Sequence, residues 1–350
     1  MQNSKIEWTT HTFNPWIGCS KESPGCFHCY AERDFDLRKH VAKWGPGQPR
    51  HRTSEAYWRQ PLRWNAEAEK SGIRPRVFCA SLADWLDAEV PIEWLADLLE
   101  LIHKTPHLDW LLLTKRPQNW DSRIHACFDI LSLQPRWLVA WSMRTPPANV
   151  WIGTSIEDQQ RADERIPALL EIPARIRFLS CEPLLGAVEL RHHLLTPIIG
   201  CKHKDPNDGC CLNPKAMTPE CHVDACLLPE AKQMIHWVIC GGESGPQARP
   251  MHPAWARSLR DQCAQAGVPF LFKQWGEWLP DDERAFRTQG DITWGLVNKK
   301  GSFRLILDKG KRDLNQDPIW KSDEAGTTRI GKHAAGRLLA GIEHNAFPKL

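Results

Sequence analysis

The sequence lacks any apolar run approaching the roughly 20 residues that a membrane-spanning helix needs. It also lacks a charged-then-apolar leader of the kind that directs export. A membrane or secreted protein is therefore disfavoured, and a reducing cytoplasm is the expected compartment. Net charge is small as well: 45 Lys and Arg stand against 42 Asp and Glu, a formal +3, so overall electrostatics select no partner. These absences set the meaning of what is plentiful. Without an export signal, thirteen cysteines read as thiols and metal ligands, not as a disulfide scaffold. At 350 residues, 42% hydrophobic and 25% charged, the chain can bury a substantial core as one large α/β barrel or as two domains.

The first stretch to carry chemistry is Cys19-Ser-Lys-Glu-Ser-Pro-Gly-Cys26-Phe-His-Cys29-Tyr30. Three thiolates from one short loop can converge on a metal or an iron–sulfur cluster without long-range folding. A set of three also leaves one metal position open, where an iron can hold an exchangeable ligand. Thr10 to Gly18 reads as a short strand leading into this loop. Tyr30 to Trp44 has helical character and stops at Gly45-Pro46-Gly47, and a second helical stretch is expected from Ser54 to Lys70.

Six short apolar runs follow, each closing on small or polar residues: Val77–Ser81, Trp110–Thr114, Val150–Ser155, Ile176–Ser180, Trp237–Cys240 and Pro269–Lys273. Amphipathic helices lie between most of them. Pro91–His103 carries Trp94, Leu98 and Ile102 at i, i+4 and i+8; Glu157–Leu170 and Pro253–Ala266 behave alike. Continuous apolar strands alternating with helices predict a parallel sheet of about seven strands with helices outside. The expected fold is α/β, a partial TIM-like (β/α) barrel with parallel strands, a cysteine-rich insertion and a small C-terminal cap. A doubly wound open sheet is the alternative. In both, ligands are expected at the carboxyl ends of the strands.

Residues 1–280 are assigned to the barrel and residues 281–350 to the cap. The cap is expected to hold strand-like pieces, Ile292–Val297 and Ser302–Leu307, and a last helix, Lys332–Leu339. Residues 196–232 form the insertion. Its Cys201, Cys211, Cys221 and Cys226 suggest a second site, holding zinc or a second iron–sulfur cluster; reduced surface thiols are the plainer reading. Cys79, Cys127, Cys181, Cys240 and Cys263 sit in apolar segments and read as small buried hydrophobes. Between Arg38 and Arg76, ten Lys and Arg face three acids with Trp44, Tyr57, Trp58 and Trp64 interleaved. That composition suits phosphate contact with base stacking, hence a nucleic-acid partner. It equally suits a solvated face whose tryptophans pack on the barrel.

A polar series closes the strands: Ser81 and Asp84; Thr114, Lys115 and Arg116; Ser155 and Glu157; Ser180 and Glu182; Gly241, Gly242 and Glu243; Lys273 and Gln274. On a parallel barrel these project toward one mouth, facing the cysteine loop. Each alone can simply cap a helix or end a strand; their recurrence favours a site. Lys115, Glu157, Glu182 and Lys273 are the candidates for proton-transfer or polar roles. Gly241-Gly-Glu243 is the turn best suited to let backbone N–H groups approach a ligand, with Glu243 able to hold an amine.

Three cysteines after a first strand, ahead of a partial parallel barrel, resemble the radical S-adenosylmethionine (SAM) enzymes. More closely, the chain resembles a phage and bacterial family of uncharacterised, radical-SAM-like proteins named for a three-cysteine motif. Matching pieces are Asn14–Glu32, Leu113-Thr-Lys-Arg-Pro117, Trp151–Glu157, Arg177–Leu185, Trp237–Gly245, Phe272–Gly276 and Gly331-Lys-His-Ala-Ala-Gly336. The resemblance implies a [4Fe–4S] cluster on Cys19, Cys26 and Cys29, with SAM on the unique iron and a 5′-deoxyadenosyl radical generated on reduction by an electron donor. Gly241, Gly242 and Glu243 would contact the amino-acid end of SAM or the substrate, and His28 stands where an aromatic packs against adenine.

Two departures stand out. The superfamily spacing is Cys-x-x-x-Cys-x-x-Cys, whereas six residues separate Cys19 from Cys26 here. The Gly-Gly-Glu turn follows about the sixth strand instead of the second. The expected function is thus that of a radical-SAM-type iron–sulfur enzyme acting on a nucleic acid or nucleotide, in modification or repair. The alternatives are a zinc-bearing nucleic-acid-binding protein, or an iron–sulfur redox or sensing protein that does not cleave SAM.

Overall fold

The apolar runs become strands of one parallel sheet: β1 (His11–Thr12), β2 (Arg76–Cys79), β3 (Asp109–Thr114), β4 (Val150–Ser155), β5 (Ile176–Cys181), β6 (Trp237–Gly241) and β7 (Phe270–Gln274). The computed structural model describes residues 2–130, 135–194, 234–283, 293–298, 300, 302–307 and 323–349. The sheet order follows the chain order from β1 to β7 without reversal. A doubly wound sheet needs a reversal at its switch point, so that alternative is excluded. The sheet is a half-barrel with helices around it.

The strands read as continuously apolar because both faces are buried. Outward side chains such as Val77, Leu112, Ile152, Leu179, Val238 and Phe272 pack with the helices in one large core. The longest helices are α1 (Gln60–Ser71), α2 (Ile92–His103), α3 (Trp120–Ile130), α4 (Gln159–Glu171) and α5 (Pro253–Gln265). Their ends follow local chemistry: α1 stops at left-handed Gly72, α4 is capped by the Asp158 side chain, and α5 begins with Pro253 at its first turn. Cys79, Cys127, Cys181, Cys240 and Cys263 are free and buried, as small hydrophobes should be.

Inward side chains form a second core of Trp8, Phe78, Leu111, Trp151, Ile176, Phe178, Trp237, Ile239 and Leu271. Strand register stacks them in layers across the half-barrel: Leu111 pairs with Trp151 and Trp151 with Ile176, then Gly153 with Phe178 and Phe178 with Trp237. Gly153 has no side chain because Phe178 fills that space. The third layer, Ser155 beside Ser180, turns polar as it nears the mouth. The aromatic floor meets at tilted and edge-on angles, Trp8 lying 4.5 Å from Phe78 and 6.2 Å from Trp237. Near the C-terminus the chain returns along the edge strand: the Phe272 N–H donates to His344 O, and Phe347 packs 5.0 Å from Trp237. That covers an edge otherwise open to pairing.

The cap is a four-stranded antiparallel sheet of β8 (Trp278–Pro280), β9 (Thr293–Asn298), β10 (Phe303–Leu307) and β11 (Glu324–Arg329), ordered β8-β11-β9-β10. The expected last helix is only Lys332–Ala335; Gly336 ends it and Leu338–Leu339 pairs with Ile342–Glu343. The helix expected over Tyr30–Trp44 ends at Arg38. The stretch Ser54–Lys70 breaks into Glu55–Trp58 and α1. Cys201, Cys211, Cys221 and Cys226, with the rest of the 196–232 insertion, lie outside the described residues. Among the described residues, no helix is long and apolar enough to cross a membrane.

Candidate functional site

The carboxyl ends of the strands open on a cavity of about 840 Å³. Its wall brings together Cys19, Cys26 and Cys29 with His28, Lys115, Glu182, Gly242, Glu243 and Lys273. Residues more than 240 positions apart in sequence thus share one chamber, as the polar strand ends predict. Glu157 and Gly241 are not part of that wall.

The three thiols are free and half-buried. Burial pushes the Cys19 thiol up to about 12, against the opposing pull of Arg116, and burial also raises Cys29. Arg116 Nη1 stands 3.6 Å from Cys19 Sγ. Its guanidinium is held by Asp84 at 3.1 Å and Glu22 at 3.1 Å, and donates to Ser20 O at 2.8 Å. Asp84 also accepts from the Thr114 hydroxyl at 2.6 Å and the Lys115 N–H at 2.8 Å. Lys115 Nζ reaches Ser155 Oγ at 3.1 Å. Burial works against its charge, but Cys26 and Glu157 keep its pKa above the ordinary lysine value. Among the described residues, no three His, Cys, Asp or Glu side chains are already drawn together as a metal site.

The strand-end carboxylates divide into two kinds. Glu182 forms an ion pair with Lys273 in the cavity, at 2.7 and 2.9 Å. Glu157 is completely buried and already committed: Ser23 Oγ donates to it at 2.7 Å and Arg165 Nη1 at 3.1 Å. Glu243 takes a fork from Arg249, Nε to Oε2 at 2.8 Å and Nη2 to Oε1 at 2.6 Å, with the Arg249 N–H adding a third bond. Burial opposes the Glu243 charge, yet the Arg249 bonds hold its pKa below the usual carboxylate range. Gly242 is required by the chain itself, since a side chain there would collide with the Trp275 carbonyl. The close approach read into the Gly-Gly-Glu turn is therefore backbone to backbone.

Two arginines of the site, Arg165 and Arg249, were missed in the sequence. Arg165 carried a signal: it interrupts the apolar stripe of Ala162, Ile166 and Leu169 on α4, where a buried cation needs a buried acid. Arg249 sits in an irregular turn and had none. Asn14 was also missed; its Oδ1 accepts from the N–H groups of Ser81 and Leu82 at 2.8 and 2.9 Å, tying the start of the cysteine segment to the end of β2.

The family model described as "Protein of unknown function (DUF5131)" matches residues 3–348. The chain belongs to this family. No curated protein and no solved structure matches it. Membership therefore gives the chain relatives whose description assigns them no activity, and chemistry rests on the cavity.

The basic segment is largely neutralised by acids outside it. Arg38 pairs with Asp34, Lys43 with Asp36, Arg50 with Asp87 and Glu89, Arg52 with Asp97, and Arg74 with Asp109. Its aromatics turn inward: Trp64 stacks on His11 at 4.3 Å and Tyr57 on Phe13 at 5.2 Å. Arg63 and Lys70 remain as exposed charges on α1.

The donor set suits an iron–sulfur cluster. Three cysteines, each a soft sulfur donor, lie on one loop, and beside them is a chamber within the roughly 300–1,000 Å³ range of small-molecule sites. The thiols must lose protons to ligate, and burial alone opposes that; a metal cation reverses the balance. Arg116 and Lys115 stand ready to offset the negative charge of three thiolates.

Proposed function

We propose that the chain is a radical-SAM-type iron–sulfur enzyme whose half-barrel is the partial TIM-like barrel of that superfamily. Cys19, Cys26 and Cys29 would hold the [4Fe–4S] cluster, leaving one iron for SAM. When bound and reduced by an electron donor, that pair supplies a 5′-deoxyadenosyl radical for hydrogen abstraction. The observation that carries the reading is the sharing of one cavity by all three thiols and the polar strand ends. Arg116 lies against Cys19, where a donor to a ligand sulfur tunes a cluster. Lys115 brings a second positive charge into the chamber. The Glu182–Lys273 pair offers an acceptor and a donor side by side to orient a polar substrate or move a proton. The aromatic floor beneath keeps water from the lower half-barrel. A nucleic acid or nucleotide is the substrate class we favour, with Arg63 and Lys70 as the outward charges.

Anaerobic purification tests the metal: about four iron and four sulfide per chain is expected for one such site, and colourless protein with stoichiometric zinc in this loop overturns it. Zinc together with nucleic-acid binding would make the protein a zinc-bearing binding module. The reduced protein incubated with SAM should release 5′-deoxyadenosine, and Cys29→Ala should not. A loaded cluster that never cleaves SAM would make the protein a redox or sensing protein instead.

A further inference from the structure

The six residues between Cys19 and Cys26 are more than the superfamily spacing requires, and the half-barrel takes hold of them. Ser23 is buried and donates to Glu157 at 2.7 Å. Arg249 Nη2 donates to Pro24 O at 2.9 Å. A side chain at Gly25 would collide with the Glu157 carboxyl group, so the loop lies flat on that acid. Past the gap, Glu243 Oε2 accepts from His28 Nδ1 at 3.2 Å. Both acids are fixed from behind by an arginine, Glu157 by Arg165 on α4 and Glu243 by Arg249.

We propose that the lengthened gap is a grip: Glu157 and Glu243, each backed by its arginine, are positioning residues that hold the cysteine loop against the mouths of β4 and β6. This rests on the metal-site reading for its purpose, though the grip itself is a property of the metal-free protein. It gives both acids a role other than proton transfer or amine binding. It also accounts for Ser23-Pro-Gly25, the part of the loop that Glu157 and Arg249 contact. A loop bonded from two strand ends is held at two points. Releasing one should let the thiols open to solvent more often without unfolding the core.

The test is pulse labelling of the full-length, metal-free protein with N-ethylmaleimide, with peptide mapping to follow Cys19, Cys26 and Cys29 separately from the other cysteines. Ser23→Ala and Arg249→Ala are each expected to speed labelling of Cys26 about tenfold, the scale of one lost charge-assisted hydrogen bond. Arg249→Lys, which keeps the charge but not the fork, should recover part of that protection. Ser23→Ala removes one hydroxyl and carries the test if Arg249→Ala does not fold. The second readout is the electron paramagnetic resonance spectrum after anaerobic loading with iron and sulfide. Shifted g-values at unchanged iron content support the grip. Labelling rates within about twofold of wild type in every folded variant overturn it. Failure of the wild type to take up iron sinks the metal reading and leaves the labelling result standing.

Discussion

Lys273 Nζ lies 2.7 and 2.9 Å from the two carboxylate oxygens of Glu182, so residues from the ends of β7 and β5 meet over the strand between them. That strand, β6, ends in Gly241, whose missing side chain would stand 3.3 Å from the Glu182 carboxyl group. The pair is largely buried, with side-chain exposures of 13% and 19%. Removing one partner of such a pair leaves the other charge poorly solvated, a loss of about 2–4 kcal/mol. Lys273→Met should therefore lower urea stability clearly, and adding Glu182→Gln should restore much of the loss. A double-mutant cycle with no coupling would show that the two groups do not act as a unit.

Gly153 and Phe178 face each other in the second layer of the half-barrel. Gly153→Ala should overpack that layer and cost about 1–3 kcal/mol. Phe178→Leu alone should lose ring packing against Trp8 and Trp237, at 6.3 and 5.9 Å. Combined, the smaller side chain makes room for the new methyl group. The double variant should then be more stable than the sum of the single losses implies, a result read from denaturant midpoints. Simple additivity would remove the steric account of the glycine.

Much of this arrangement was written in the strand runs. Six apolar segments closing on small or polar residues placed β2 to β7, and their shared direction put the polar ends at one mouth. What the pattern could not tell is which charged ends are spoken for. Glu157, Glu182 and Glu243 look alike as acids after strands. Only packing separates Glu182, paired with a lysine from β7, from two acids claimed by Arg165 and Arg249. The doubly wound alternative survived in sequence because both topologies demand the same alternation; strand order alone distinguishes them. Likewise the charge excess of Arg38–Arg76 is visible along the chain, whereas its neutralisation by Asp87, Glu89, Asp97 and Asp109 arises only when distant segments meet.

Stability should fall as the solution becomes mildly acidic. His236 accepts the Arg177 N–H on Nδ1 at 3.1 Å, and burial, reinforced by the Arg177 charge, lowers its pKa from the ordinary 6.5. Burial lowers His11 and His193 in the same direction. A histidine with a folded pKa below its unfolded value binds protons better unfolded. Its contribution is complete above about pH 6.5 and declines as pH drops through and below that value. The urea midpoint is expected to fall between pH 7.5 and about 5.5. His236→Gln, which keeps an acceptor for Arg177 but does not titrate, should flatten that slope. An unchanged slope would remove His236 from the acid response.

The basic segment holds cationic side chains of two kinds, and substitution should separate them. Arg50 has a completely buried side chain that bonds Asp87 at 2.9 Å, Glu89 at 2.7 Å, Ser20 Oγ at 2.8 Å and the carbonyls of Gly45 and Gln48. Arg50→Ala strands the buried Asp87 carboxylate and should cost about 3–5 kcal/mol, seen as a large fall in thermal midpoint. Arg63 and Lys70 lie exposed on α1, so Arg63→Gln with Lys70→Gln should leave stability within about 0.5 kcal/mol of wild type. If α1 touches phosphates, that double variant should weaken an electrophoretic shift with DNA or RNA and reduce its salt dependence. A wild-type shift that these two substitutions leave unaltered would place any nucleic-acid contact elsewhere on the chain.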